Sequence, residues 1–299
     1  MSDQQTYIGR FAPSPTGPLH LGSVSTALVS YLQARSRNGK WLLRIDDLDT
    51  PRNIKGSVDN ILRALDALGL HWDGDVAFQS QSIDYYQEIL DNLYKTKHIF
   101  PCRCSRKSQK ARYNGFCRDN YFNLDFAHAY RIKVDDTVIS FNDELQGGMS
   151  SQIDEHGDFI VKRKDQIFAY QFAVVVDDHL QSINHVVRGY DLLDSTPRQI
   201  FLQKILGFIT PEYMHVPIII DENGYKLSKQ TKAKSVDVTK PQDVIFELLT
   251  ILKQSPPKEF IRKASVTEIL AWAVGHWNST PLKNCRAINK QYISNNLYE

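Results

Sequence analysis

The first hundred residues alternate strand-like and helix-like segments, and this alternation constrains the fold more than any other feature. A short apolar segment at 7–12 runs into the Pro- and Gly-rich loop PSPTGP, and an apolar helical pattern follows at 23–37. A second strand-like segment at 41–46 precedes two amphipathic helical patterns, at 57–68 and 84–95. Strands separated by helices pair in parallel, because each helix carries the chain back across the sheet. The sequence therefore predicts an α/β fold with a doubly wound, Rossmann-like parallel sheet.

Residues 100–165 interrupt this alternation. The segments AYRIKV, TVISF and DFIVKR alternate in polarity and predict a small antiparallel insertion. The α/β pattern then resumes with a helix at 168–176, a strand at 185–188, a helix after Pro197 and a strand at 216–220.

The C-terminal part is predicted to be helical, at 241–253 and again from Ser265, where Glu268 completes a capping-box pattern. On this interpretation the chain has a first half of the α/β domain, an insertion, a second half and a helical basic appendage, at 1–99, 100–165, 166–234 and 235–299.

Composition excludes several classes of protein. Of the 299 residues 42% are hydrophobic and 23% charged, as in ordinary globular proteins. The start, MSDQQTYIGR, lacks the basic and apolar regions of a signal peptide, and the longest apolar run, FAVVV, is far too short to span a membrane. Three of the four cysteines crowd into 102–117, unlike a disulfide framework. These features predict a soluble, cytoplasmic protein without membrane contact, and nothing in them implies an obligate protein partner.

Charge is distributed unevenly along the chain. Residues 1–225 hold 24 Lys/Arg and 28 Asp/Glu, a net −4, whereas residues 226–299 hold 12 and 6, a net +6. A basic C-terminal quarter is typical of a surface that binds a polyanion such as RNA. An ordinary solvated surface of mixed charge explains the same numbers.

The segment RFAPSPTGPLHLGS at 10–23 is the first candidate site. A loop that leaves a parallel strand and enters a helix places free N–H groups and the positive helix end at the edge where open α/β sheets bind phosphates. Gly17 and Gly22 permit close approach of a ligand, and His20 can donate to a phosphate oxygen. Taken alone, the HLG segment is a weak signal that an ordinary loop histidine explains better.

The segment KLSKQ at 226–230 is the second candidate site. Lys226 and Lys229 flank Ser228 in a loop that follows a late strand and Gly224. Such a loop can close on a polyphosphate and stabilise the charge that develops there. Taken alone, it is most simply a pair of surface lysines.

Together and in this order, the two segments resemble the HIGH-like and KMSKS-like signatures of class I aminoacyl-tRNA synthetases. The segments RIDDLDTPR and VVRGYDLLDSTPRQ add a similarity to the glutamyl subgroup in particular, so that the resemblance covers about residues 7–234. The departures from the two signatures are Ser23, Leu227 and Gln230.

The resemblance implies that the chain activates L-glutamate with ATP and Mg²⁺. The α-carboxylate, already ionised at pH 7, attacks the α-phosphorus and pyrophosphate leaves. Catalysis then depends on positioning and charge stabilisation, for which we expect His20 and Lys229. The implied ATP-binding residues are His20, Gly22, Ser23, Lys226, Ser228 and Lys229.

The same resemblance implies a glutamate pocket. Arg10 and Arg188 would hold carboxylates by paired hydrogen bonds, and Asp46 would hold the ammonium group. Members of the family mostly have Glu where Asp46 stands, so that both a direct contact and a bridging water stay open. Ordinary ion pairs at strand ends are the alternative. The implied pocket residues are Arg10, Ala12, Ser14, Asp46, Tyr170 and Arg188.

The cysteines at 102–117 are a candidate metal site. Three thiolates within sixteen residues can close a tetrahedral Zn²⁺ shell if one more ligand joins them. The spacing C-x-C-x₈-Y-x₃-C resembles the zinc knuckle of glutamyl-type enzymes, with His98, His128 and unliganded thiols as alternatives. The ligands that the resemblance implies for one structural Zn²⁺ are Cys102, Cys104, Tyr113 and Cys117.

About 65 residues follow the KLSKQ segment, too few for the anticodon-reading domains of full-length glutamyl-tRNA synthetases. This architecture resembles the glutamyl-Q tRNA(Asp) synthetases, paralogues that place glutamate on queuosine, the modified wobble base of tRNA(Asp). The implied partner is the anticodon stem-loop of tRNA(Asp), with the base splayed into the cleft and the phosphates on the basic tail. A short glutamyl-tRNA synthetase charging the 3′ end of tRNA(Glu), a non-catalytic RNA-binding paralogue and a small-molecule adenylate-forming ligase are alternatives.

Overall fold

A computed structural model describes residues 6–104, 113, 115–120, 125, 127–226, 235–260 and 263–289. Its strands are β1 (Ile8–Phe11), β2 (Lys40–Ile45), β3 (Ala77–Phe78), β4 (Ile99–Cys102), β5 (Ala129–Ile132), β6 (Val138–Asp143), β7 (Gly147–Gln152), β8 (Ile160–Lys162), β9 (His185–Gly189), β10 (Glu212–Val216), β11 (Ile218–Ile220) and β12 (Ala287–Asn289). Its α-helices are α1 (Leu21–Arg35), α2 (Ser57–Ala67), α3 (Ile83–Lys95), α4 (Tyr170–Leu180), α5 (Thr196–Leu206), α6 (Pro241–Ile251) and α7 (Val266–Gly275).

A seven-stranded, mostly parallel sheet forms the centre of the fold. Its order is β3-β2-β1-β9-β10-β6-β7. Strand β1 pairs in parallel with β2 on one side and with β9 on the other, and β10 runs parallel to β9. The predicted Rossmann-like parallel sheet is therefore confirmed. Among the described helices, none is both long enough and apolar enough to cross a membrane.

Both faces of the central parallel strands of this sheet are buried. Successive side chains of a strand point to opposite faces, so Trp41 and Leu43 pack in one core while Leu42 packs against the other. Helices α1, α2, α6 and α7 contribute to the first core, and α3, α4 and α5 to the second. Parallel strands buried on both faces need this double cover, because their apolar residues point both ways.

Two strands differ from the sequence prediction. The TVISF segment forms β6, which joins the large sheet in parallel with β10 and carries β7 as an antiparallel edge. The strand predicted at 216–220 lies instead at Glu212–Val216, and Ile218–Ile220 forms β11 in a separate pair with β12. Pro217 lies between them, and a proline cannot donate to a sheet ladder.

The remaining antiparallel strands carry the cysteine region. Strands β4, β5 and β8 form a three-stranded sheet, with Cys102 at the end of β4 opposite Ala129. Only the AYRIKV and DFIVKR segments of the predicted insertion therefore build this small sheet, while β6 and β7 extend the large one.

The C-terminal helices are not a separate appendage. Leu248 of α6 and Ile269 of α7 are fully buried in the same core as α1. The predicted capping box is present, because Ser265 accepts the N–H of Glu268, whose carboxylate accepts the N–H of Ser265. The sequence predicted these helices but not their packing, since burial of a helix face depends on residues far away in the chain.

Candidate active site

The loop after β1 is held from two sides. Ser57, at the start of α2, donates to the carbonyl of Gly17 at 2.9 Å and accepts its N–H at 3.0 Å. Gly17 has φ 127°, a conformation that side-chain-bearing residues rarely adopt. Pro13 accepts the N–H of Asp46 at 3.0 Å, which joins the loop to the end of β2. The loop thus enters α1 along a fixed path.

His20 caps the N-terminus of α1. Its Nδ1 accepts the N–H of Ser23 at 3.2 Å, and its Nε2 lies 3.0 Å from the Ser23 hydroxyl. The first turn of this fifteen-residue helix contains no acidic residue, so its positive end is available to an anion. Ser23, where the signature has a second histidine, therefore orients His20. Gly22 lies in the same turn.

The chain on both sides of the KLSKQ segment lies in the described region, whereas Leu227, Ser228, Lys229 and Gln230 lie outside it. The backbone of Lys226 forms an isolated antiparallel β-bridge with Ile220, and its Nζ donates to Asp191 at 2.6 Å. Ser235 forms an isolated antiparallel β-bridge with His20, and the N–H of Val236 donates to the carbonyl of Leu19 at 3.2 Å. The described residues that follow the segment, from Ser235 onward, thus lie beside the histidine loop.

Arg188, on β9, is a buried cation with uncharged partners. Its side chain is 4% exposed. Nη1 donates to Tyr170 at 3.4 Å and to Gln199 at 2.6 Å, and Nη2 donates to Thr196 at 2.8 Å. None of the described residues that Arg188 bonds is a carboxylate, and one Nη2–H keeps no partner among them. An anionic ligand can supply the missing counter-charge.

Two further buried side chains, His215 and Asp143, are linked to Arg188 by hydrogen bonds. Arg188 donates from Nε to Nε2 of His215 at 3.0 Å, and Nδ1 of His215 lies 2.6 Å from Oδ2 of Asp143. Burial and the charge of Arg188 lower the pKa of His215, against the pull of Asp143. The imidazole is therefore neutral at pH 7.

Arg10, by contrast, is neutralised. Its Nε and Nη2 donate to the two oxygens of Asp178 at 3.1 and 3.3 Å. Although burial opposes ionisation, Arg10 and Arg44 hold the pKa of Asp178 below its usual value. A substrate carboxylate at Arg10 would have to share this guanidinium with Asp178.

Asp46 lies in the same buried charge group. Its Oδ1 accepts Nε of Arg44 at 2.9 Å, and Arg44 also donates to Asp178 at 2.8 Å. Burial raises the pKa of Asp46 to about 6, against the attraction of Arg44. With Asp177, which lies 3.6 Å from Arg44, this group of two arginines and three aspartates has one net negative charge when Asp46 is ionised. That charge suits an ammonium group.

The sequence missed several of these residues. Arg44, Thr196 and Gln199 lie inside the two segments that carry the family resemblance, so position alone could have indicated them. Asp178 ends the apolar run FAVVVDD, where an acid on a buried helix is an unusual feature. Asp143 has no comparable signal.

The predicted metal ligands come together. The sulfurs of Cys102, Cys104 and Cys117 lie within 4.8 Å of one another, and Cys104 and Cys117 are 3.5 Å apart. Thiolates about 2.3 Å from a tetrahedral Zn²⁺ lie roughly 3.8 Å apart, so these sulfurs fit a metal after small shifts. The Tyr113 hydroxyl lies 3.7 Å from Cys102 Sγ and accepts the N–H of Cys117 at 2.6 Å.

The alternative histidines do not join this group. His98 bonds the Thr96 hydroxyl at 2.9 Å, and His128 stacks edge-on against Tyr130. Arg131 donates from Nε to Cys102 Sγ at 3.3 Å and so fixes the position of this sulfur. Of the candidate fourth ligands, Tyr113 is thus the one beside the thiols in the described part of the chain.

Comparison with known proteins identifies the family of this chain. The family model of class I tRNA synthetases (E and Q), catalytic domain, matches residues 8–270. The chain is 45% identical over 283 residues to the glutamyl-Q tRNA(Asp) synthetase of Dechloromonas aromatica, covering 91% of this chain and 94% of that protein. To the glutamyl-Q tRNA(Asp) synthetase of Vibrio vulnificus it is 43% identical over 291 residues, covering 96% and 95%.

The fold is also that of a solved relative. A glutamate tRNA ligase from Elizabethkingia meningosepticum, in complex with its amino acid, superposes with a TM-score of 0.79 and 25% identity, over 95% of this chain and 67% of that one. Sequence and fold agree, and the chain belongs to the class I tRNA synthetase family (E and Q), within its group of glutamyl-Q tRNA(Asp) synthetases.

Proposed function

We propose that this enzyme activates L-glutamate with ATP, without any tRNA, and transfers the glutamate to queuosine at the wobble position of tRNA(Asp). The observation that carries the activation step is the buried cation Arg188, whose described partners are all uncharged. The two relatives named above are glutamyl-Q tRNA(Asp) synthetases, and their name supports the acceptor.

The glutamate pocket follows from the two unlike arginines. Arg188 binds one carboxylate of the substrate together with the hydroxyl of Tyr170, a residue that is 39% exposed. Asp46 holds the ammonium group, since its charge group carries the excess negative charge. Arg10 assists the second carboxylate while paired with Asp178, and Ala12 and Ser14 line the loop.

The ATP site lies at the N-terminus of α1. We expect the phosphates to bind there against the N–H of Gly22 and the side chains of His20 and Ser23. We assign Lys226, Ser228 and Lys229 of the KLSKQ segment to the same ATP, which Mg²⁺ accompanies. An oxygen of the glutamate α-carboxylate bonds to the α-phosphorus, and pyrophosphate leaves with the electron pair of the broken P–O bond. His20 and Lys229 stabilise the charge that develops.

Transfer requires a hydroxyl acceptor. In the second step a hydroxyl of the queuosine cyclopentene ring attacks the activated carbonyl, AMP leaves, and the hydroxyl proton passes to solvent or to AMP. The basic stretch 226–299 is where we expect the RNA phosphates, so binding should weaken steeply with salt.

One Zn²⁺ per chain completes the proposal. Cys102, Cys104, Cys117 and Tyr113 would hold it, and it would stabilise the end of β4 without taking part in the reaction.

Two measurements test this function. The purified protein should exchange pyrophosphate into ATP only when glutamate is present, and glutamine should be much poorer, because it leaves a buried cation without a counter-charge. Labelled glutamate should then appear on an isolated anticodon stem-loop of tRNA(Asp) that contains queuosine, and not on the same loop with guanosine.

Other outcomes identify the alternatives. Label on the periodate-sensitive 3′ adenosine of tRNA(Glu) would show a short glutamyl-tRNA synthetase. Absence of exchange with any amino acid would show a non-catalytic RNA-binding protein, and exchange with a different acid would show another adenylate-forming ligase.

A further inference from the structure

We infer that His215 and Asp143 are positioning residues that hold the guanidinium of Arg188 for the substrate carboxylate while leaving its charge uncancelled. The inference deepens the proposed function, because it names the device behind the preference for glutamate over glutamine.

The hydrogen bonds define one protonation state. Nδ1 of His215 lies 2.6 Å from Oδ2 of Asp143, which is ionised and can only accept, so Nδ1 carries the hydrogen. The other ring nitrogen, Nε2, therefore has a lone pair, and it accepts Nε–H of Arg188 at 3.0 Å. Asp143 thus selects the tautomer that can hold Arg188.

The chain of hydrogen bonds from Asp143 through His215 to Arg188, here called the relay, is rigid because all three side chains are buried. His215 is 0% exposed, Asp143 1% and Arg188 4%. The backbone N–H of His215 also donates to Asp143, at 3.1 Å to Oδ2, so the imidazole and its own peptide group share one carboxylate. Residues on three adjacent strands, β6, β10 and β9, are joined in this way.

The neutral imidazole is the important element. A carboxylate beside Arg188 would orient the guanidinium but also cancel its charge, as Asp178 does for Arg10. In the described part of the chain, the other groups that face Arg188 are the hydroxyls of Tyr170 and Thr196, the amide of Gln199 and, 5.3 Å from its Cζ, the ring of Tyr213, all uncharged. The full positive charge is therefore kept for the ligand.

The test compares two variants at one position. His215→Leu removes the acceptor for Arg188, and His215→Gln keeps a side-chain oxygen that can accept Nε–H. Losing a hydrogen bond to a charged group should raise KM for glutamate about 10- to 100-fold in His215→Leu. The ratio of kcat/KM for glutamate to that for glutamine should fall in the same variant. His215→Gln should recover most of that loss, and KM for ATP should not change in either variant.

Met214→Leu is the matched control, since Met214 is buried on the same strand but packs in the opposite core. It should keep the wild-type KM for glutamate. Equal changes in the KM values of glutamate and ATP in His215→Leu, or a normal glutamate KM in that variant, would overturn the inference.

A second readout needs no substrate. Two-bond ¹⁵N–¹H correlations of the histidine rings, with His215 assigned from His215→Gln, should show the neutral Nδ1–H tautomer at pH 7. Asp143→Asn, with its amide oxygen still accepting the N–H groups of Leu145 and Gln146, presents an NH2 group to Nδ1 and should shift the ring toward Nε2–H.

The two readouts separate the possible failures. A wild-type protein with the Nδ1–H tautomer but no glutamate-dependent exchange would overturn the proposed function. A wild-type protein with exchange but the Nε2–H tautomer would overturn the relay.

Discussion

Asp178 of α4 accepts two hydrogen bonds, of 3.1 and 3.3 Å, from the guanidinium of Arg10 on β1, which is 168 positions away in the sequence. The same carboxylate accepts Nη1 of Arg44 at 2.8 Å. All three side chains are buried, and this aspartate therefore compensates two cations that water cannot reach.

Asp178→Asn should destabilise the protein strongly. Removing one partner from a buried ion pair leaves an uncompensated charge, which costs about 3–5 kcal/mol. Urea denaturation should show this loss in the free energy of unfolding. Asp165→Asn, which breaks the largely exposed pair with Arg163, should lose at most about 1 kcal/mol. A similar small loss in both variants would contradict the role of Asp178.

Glutamate activation should depend on the ionisation of Asp46, whose pKa burial raises to about 6. Below that pH the carboxyl is neutral and holds an ammonium group weakly. With Mg²⁺ and ATP saturating, kcat/KM for glutamate should fall about tenfold per pH unit below 6. In Asp46→Asn, kcat/KM for glutamate should be low at every pH. In Asp46→Glu, the plot of kcat/KM against pH should keep an inflection. An unchanged profile in Asp46→Asn would contradict the assignment.

The stability of the fold should follow the opposite trend at Asp46. A carboxyl whose pKa is higher in the folded state than its unfolded value of about 3.9 makes its full contribution to stability below that pH, where it is protonated in both states. That contribution is present at low pH and is lost as the pH rises through about 6. Urea denaturation should show that the free energy of unfolding falls less between pH 4 and 6 in Asp46→Asn than in the wild type.

Elemental analysis should find one Zn²⁺ per chain, and Cys102→Ser should lose it together with local stability. Cys285→Ser is the control, because Cys285 lies outside the three-thiol group. In Co²⁺-substituted protein, Tyr113→Phe should change the absorption of a tetrahedral site, while Cys285→Ser should not. A folded, active and zinc-free wild type would refute the metal site.

Lys229→Ala should reduce glutamate-dependent exchange by roughly 10²–10³, the usual loss for one preorganised charge-stabilising donor. Lys226→Ala is the comparison, since Lys226 pairs with Asp191 at 2.6 Å and a phosphate must compete for it. We expect a smaller loss there. Equal rates in Lys229→Ala and wild type would refute the role of Lys229.

The sequence predicted the parts of the fold that local pattern determines. The strands around Arg10 and Arg188, the helix after His20 and the capping box at Ser265 are in place, because alternation, Pro/Gly loops and caps are short-range features. It did not predict that β6 joins the large sheet, because a strand pattern does not state its partner.

For the candidate site too, the sequence predicted some features and not others. Motif residues such as Arg10, Asp46 and Arg188 were found, and the structure brings them to adjacent strands. Their unequal electrostatic states were not, since Asp178 and His215 act from segments without a motif. Only the folded contacts show that one arginine is compensated and the other is not.

The packing of α6 and α7 against α1 bears on how far this enzyme can be trimmed or recombined. Strand β12 also supplies the partner of β11, the strand that leads toward Lys226. A fragment that ends at residue 225 would expose the apolar surface of α1 and leave that strand with a bare edge, and such fragments aggregate. The C-terminal segment is thus part of the hydrophobic scaffold of the nucleotide site, and exchanging it between paralogues would require redesigning the core beneath.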